Sequence, residues 1–114
     1  MTLLRRGDVI LVPLDFTDRS GTKWRPAVVV SNDDYNARTP DVMVASITSN
    51  LTAISHPGDQ QLTDWRAAGL LKPSLVQTKL ATIQSSLVRR RLGTLSAADL
   101  AALDQGLRNA LNLV

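Results

Sequence analysis

Few side chains in this sequence can do acid–base, nucleophilic or metal chemistry. There is one histidine, His56, and there is no cysteine; all ten acids are aspartate, and ten of the thirteen cations are arginine. A zinc site needs several His or Cys ligands, and a Ser-His-Asp triad needs a positioned imidazole. His56 lies in the turn-like SHPGD and reads as a surface or capping residue. Asp33-Asp34, following Asn32, reads as turn chemistry rather than a magnesium site, and no Gly-rich phosphate loop is present. The set therefore implies no metal and no cofactor. One reaction stays open to it: cleavage of RNA by the substrate's own 2′-hydroxyl, in which the protein need only position the nucleophile and handle charge and protons. An arginine fork suits the phosphate, and a threonine hydroxyl can hold one of its oxygens. Arg25 and Thr48 each stand where a loop meets an expected strand and could lie on neighbouring strands of one sheet.

The elements that must position them follow from pattern. At 114 residues, with 44% apolar and 20% charged side chains, the chain reads as one globular domain over residues 1–114. The start, MTLLRRGDVI, has no long apolar stretch after its charges, and no run approaches the roughly 18 apolar residues of a membrane span. The expectation is a cytoplasmic protein with no membrane partner, which the lack of cysteine suits. A net charge of +3 and a pI near 10 favour polyanionic partners, above all nucleic acid, although the same arginine bias could be a solvated surface.

Strands are expected over residues 9–16, Pro26 to Val30, Asp41 to Ser49 and Ser74 to Ile83. In the third, Met43, Ala45 and Ile47 should share one face and Val44, Ser46 and Thr48 the other. Between strands, SNDDYNARTPD reads as a loop. TDWRAAG reads as a short helical turn with Thr63 as N-cap and Gly69 closing it. SSLVRRRLGTL reads as a further strand or a connector. A terminal helix begins at Ser96, with Leu95 and Leu100 as a hydrophobic staple. Leu100, Leu103, Leu107, Leu111 and Val114 mark its apolar face, and Gly106 should weaken it by about 1 kcal/mol against alanine. Strands without long intervening helices argue for a small antiparallel sheet or barrel with a helix packed on it.

Four blocks, RRGDVILVPLD, WRPAVVVSND, VMVASITSN and SLVQTKLATI, resemble the successive blocks of the MazF/PemK family of toxin-antitoxin ribonucleases. The likeness runs through nearly the whole chain, and the RP-x-VVVSN step followed by a strand ending in IT is its strongest part. It implies a mainly β (α+β) fold: a small antiparallel SH3-like barrel of the MazF/CcdB type, with a short helix and a packed C-terminal helix, usually a homodimer. It implies metal-independent, sequence-selective cleavage of single-stranded RNA to 2′,3′-cyclic phosphate and 5′-hydroxyl ends. It also implies a cognate antitoxin that blocks the RNA groove, with DNA contacted only through the toxin–antitoxin complex. The family's catalytic Arg and Thr fall on Arg25 and Thr48. The segment from Thr17 to Lys23 would cover the groove, and Ser20, Lys23, Trp24, Ser49, Asn50 and Lys79 would contact RNA. The chain departs from the family where many members read close to QIRT: here stand Lys79-Leu80-Ala81-Thr82, so an arginine is lost to Ala81 and an amide to Lys79.

Two other classes compete. A CcdB-like barrel would poison DNA gyrase by protein contact, and a catalytically inactive relative would serve as a DNA-binding or regulatory partner. The run Arg89-Arg90-Arg91 could form an RNA patch or meet an acidic antitoxin, but charge runs are usually solvated faces and it reads as surface by default.

Overall fold

Branched apolar residues crowd four short stretches of the chain, and in the computed structural model, which describes residues 3–14, 23–53 and 55–114, each of the four is a strand. Asp8–Leu14 (β1), Lys23–Val29 (β2), Asp41–Thr48 (β3) and Leu75–Gln84 (β5) join the two-residue Gln60–Gln61 (β4) and Arg90–Thr94 (β6) in one sheet. Its order is β4-β5-β3-β2-β1-β6, and every pairing is antiparallel. The sheet is apolar on both faces. Val9, Val28, Ala45, Ile47 and Val76 face the terminal helix Ala97–Leu111 (α2) through Leu103 and Leu107. On the opposite face Ile10, Val12, Ala27, Val29, Val42 and Val44 pack together with Leu4, Ile83 and Val88. Val9, Ile10, Val12, Val28, Val29, Val42 and Val44 are wholly shielded from solvent. This two-sided burial explains the continuous rather than alternating apolar runs.

The expected division of β3 holds for Ala45 and Ile47 against Val44 and Ser46, but Met43 is 38% exposed and joins neither core. The fourth expected strand carries an irregularity. Ala45 pairs with Leu80 and Ile47 with Val76, so residues 77–79 of β5 stand against Ser46 alone. The stretch SSLVRRRLGTL is both alternatives at once, a 3₁₀ turn over Ser85–Leu87 and then β6.

Several expectations are corrected. SNDDYNARTPD is not a loop throughout: Asp33–Arg38 form a helix (α1). The Asn32 side chain caps it by accepting from the Tyr35 N–H, Asp33 and Asp34 sit in the positive first turn, and Arg38 closes on Asp34 at 2.8 Å. TDWRAAG remains a series of turns, closed as expected by Gly69 at φ +80°. Thr63 does not cap it. The backbone N–H groups of Thr63 and Asp64 donate to Oδ1 and Oδ2 of Asp99, at 2.9 and 2.8 Å. Ser96 does cap α2, accepting from the Asp99 N–H, and Leu95 and Leu100 both pack into the helix-side core. The apolar stripe of α2, however, is buried only through Leu107; Leu111 is half exposed and Val114 fully so. Gly106 has a packing reason: a Cβ there would come within 2.4 Å of the Gly58 carbonyl oxygen.

Candidate active site

Arg25 and Thr48 come from strands that are neighbours in the sheet. Ala27 of β2 pairs with Ser46 of β3, the last pair of that ladder, and Arg25 and Thr48 each lie two residues beyond it, at the same end of the two strands. On its other edge Arg25 pairs with Val12 of β1, whose neighbours Ile10 and Leu14 are buried. The arginine is thus carried at the rim of a packed sheet, the kind of support that holds a charge in place. The strand begins at Lys23, three residues before Pro26, and not at the proline as its sequence suggests. Pro26 lies where β2 is paired to β1 but its ladder to β3 has not begun, so its missing N–H is tolerated.

The two side chains are left available. Arg25 is half-buried, and its guanidinium has no hydrogen bond or ion pair among the described residues. A bond to Asp15 or Asp18 concerns residues outside that set. The Thr48 hydroxyl oxygen accepts from the Asn50 N–H at 3.1 Å, which fixes the oxygen and leaves the hydroxyl proton to be donated. A cation and a hydroxyl donor at the same end of neighbouring strands suit the non-bridging oxygens of a phosphodiester.

The remaining candidates spread around this pair. Ser49 and Asn50 are exposed in the turn that leaves β3. The Asn50 amide oxygen accepts from the Thr52 N–H and hydroxyl, leaving its NH₂ without a partner among the described residues. Lys23 is exposed at the start of β2. Lys79 is half-buried in the irregular stretch opposite Ser46, two residues along β3 from Thr48. Trp24 is 47% exposed, and the Arg89 guanidinium lies 5.1 Å from its ring centroid. Ser20, and Thr17 to Thr22 of the covering segment, fall outside the described residues.

Side chains elsewhere do structural work. His56 closes a turn in which its N–H donates to Asp59 Oδ2 at 2.8 Å. Burial of the Asp59 carboxyl pulls its pKa upward, but donors from His56 and Thr78 outweigh this and hold it below the ordinary value. Trp65 packs against the helix-side core. Asp33 accepts from the Arg6 N–H at 2.8 Å. Among the described residues no three His, Cys, Asp or Glu side chains gather as a metal site, and no helix is long and apolar enough to cross a membrane. Sequence reading missed Arg89 as a neighbour of the site, because the contact joins residues 24 and 89 across β1.

Comparison with known proteins agrees with this fold. Residues 5–111 match the sequence profile of the PemK-like, MazF-like toxins of type II toxin-antitoxin systems. A Mycobacterium tuberculosis protein named endoribonuclease MazF9 is 35% identical, across 97% of this chain and 98% of its own length. Two solved structures share the fold: a mycobacterial endoribonuclease in complex with its cognate antitoxin (TM-score 0.75, 22% identity, 100% of this chain and 98% of the other). The second is a MazE–MazF complex from Deinococcus radiodurans (TM-score 0.77, 20% identity, 99% and 100%). These relatives do not favour a gyrase poison or an inactive regulator. A profile match over nearly its whole length and a relative above one-third identity agree: the chain belongs to the PemK-like, MazF-like toxins of type II toxin-antitoxin systems.

Proposed function

We propose that this toxin is an endoribonuclease that cleaves single-stranded RNA through the substrate's own 2′-hydroxyl, with Arg25 and Thr48 as its catalytic residues. The 2′-oxygen bonds to phosphorus and the P–O5′ bond breaks, giving a 2′,3′-cyclic phosphate and a 5′-hydroxyl. The proton lost from the 2′-hydroxyl equals the one gained by the leaving oxygen, so no net acid or base is consumed. Negative charge grows on the non-bridging oxygens along this path, and preorganised donors aimed there are worth most. Arg25 supplies the charge and Thr48 a neutral hydroxyl donor. What supports the reading is their placement at the same end of two neighbouring strands, just past the Ala27–Ser46 pair, with Arg25 free of any carboxylate partner among the described residues.

Lys23, Trp24, Ser49, Asn50 and Lys79, with Ser20, are the proposed RNA contacts. Phosphate contacts among them position the strand, and base contacts set the cut sequence. Because Lys79 and Ala81 replace residues usual in the family, the preferred bases are expected to be the chain's own. A cognate antitoxin is the proposed inhibitor, by likeness to the toxin–antitoxin complexes above. The working form is a homodimer in the cytoplasm, meeting DNA only through the antitoxin.

End-mapped digestion of a long defined RNA in excess chelator tests this. Discrete cuts bearing 5′-hydroxyl and cyclic-phosphate ends are expected. Intact RNA in the presence of folded protein, or cuts that appear only when metal is restored, would contradict it.

A further inference from the structure

Trp24 keeps almost half of its surface in water, although it sits next to Arg25 on β2 and opposite Pro13 of β1. One face of its ring is engaged by Arg89, whose guanidinium lies 5.1 Å from the centroid. Arg89 is held there by its own backbone, the N–H donating to the Leu11 carbonyl at 2.9 Å. Leu11 in turn pairs with Pro26 on one side and with Arg90 on the other. Arg90 is therefore two strand spacings from Pro26, about 10 Å. Of the three consecutive arginines, only Arg91 has a carboxylate partner among the described residues, Asp8 at 3.7 Å. Arg89, Arg90 and Arg91 also line a groove of about 760 Å³ that continues past Ser85 and Ser86. Two arginines without a carboxylate partner among the described residues and a half-open indole thus lie close to Arg25 along the chain and the sheet, and the groove leads from Arg89 and Arg90 toward the start of β3.

We infer that Trp24 and Arg89 form one RNA-binding unit that holds a nucleotide flanking the cleaved step, and that Arg90 and the groove take the strand beyond it. The inference rests on the ribonuclease reading above, gives its contact Trp24 a partner and extends the site to Arg89 and Arg90. Every base has a π-face, so an indole takes one without regard to sequence. Arg89 stacks on the other side of the ring and keeps its N–H edge for a phosphate. Consecutive strand residues point to opposite faces. RNA held at Arg25 must then cross the rim of β2 to reach Trp24, which assigns the stack to binding rather than to the chemical step. A pair that only braced the fold would change stability and leave RNA affinity alone.

The experiment uses a Trp65→Phe parent, leaving Trp24 as the only indole of the two in the chain. Its probe is a short RNA spanning a mapped cut, with a 2′-deoxy sugar at the cleaved step so that it binds without reacting; the all-ribose version reports cleavage. The expected results are quenching of Trp24 fluorescence on RNA binding, and about tenfold weaker Kd and higher KM in Arg89→Ala and Trp24→Leu, with kcat within about threefold. Arg90→Ala should lower the slope of log affinity against log salt by about 0.7. If the parent cuts RNA and both variants, shown folded by their unfolding transitions, keep its KM and Kd, the inference is overturned and the ribonuclease reading stands. If the folded parent neither binds nor cuts, both fail. Unchanged RNA affinity with weakened capture of an acidic peptide would reassign the stack to a protein partner and also overturn the inference.

Discussion

At Thr48 the hydroxyl oxygen is fixed by the Asn50 N–H and its proton is free to donate. Thr48→Ser keeps both features and is expected to retain most cleavage. Thr48→Ala removes them and should lower kcat by about 10²-fold, read on one mapped RNA. Asp59 makes a different prediction, about stability. Its pKa is lowered in the fold, so its contribution is present above the unfolded carboxylate pKa of about 3.9 and is lost as pH falls through the lower folded value. Asp59→Asn should lower stability at neutral pH and flatten the acid limb below about pH 4 in denaturant titrations at successive pH values. Arg25 and Thr48 were legible as types at loop–strand junctions. Their place at the same end of two neighbouring strands was not, because the register between β2 and β3 is a long-range property of the sheet. The Asp59 network was equally invisible, since its donors at His56 and Thr78 meet only when the chain folds back.

Elements were read best where one face or a local cap decided them. The four main strands and the Ser96 cap of α2 declared themselves through apolar runs and capping chemistry. α1 was missed because its six residues, with Ala37 the one aliphatic among them, carry no helical period, although Asn32, the following acidic pair and Arg38 are a start-and-stop pattern that could have found it. Asp99 shows a further limit. Its local role near the Ser96 cap was visible, whereas its buried carboxylate caps a turn 35 residues away. Asp99→Ala would leave two backbone donors unpaired and should cost about 2–4 kcal/mol in denaturant unfolding. Gly106 reverses a propensity rule. Alanine favours a helix by about 1 kcal/mol, but its Cβ would strike the Gly58 carbonyl, so Gly106→Ala should lower the unfolding midpoint rather than raise it.

On the scale of the molecule, the sheet carries Arg25 and Thr48 at its rim while α2 covers one face and a second apolar cluster fills the other. The fold class was legible from the order of strands and the single long helix, since little else buries such runs. The exposed end of the α2 stripe was not, because periodicity says which residues share a face and not how far a neighbour extends along it. With ten arginines and a net charge of +3, RNA capture should weaken as salt rises, the log–log slope counting the phosphates contacted at about 0.7 each. The central claim is that Arg25 acts on the phosphate. Its most direct test compares cleavage of one mapped RNA by the parent and by Arg25→Ala, after both give the same unfolding midpoint. A fall of about 10²-fold or more in kcat is the result predicted; a rate within about threefold of the parent would remove Arg25 from the chemistry and contradict the account.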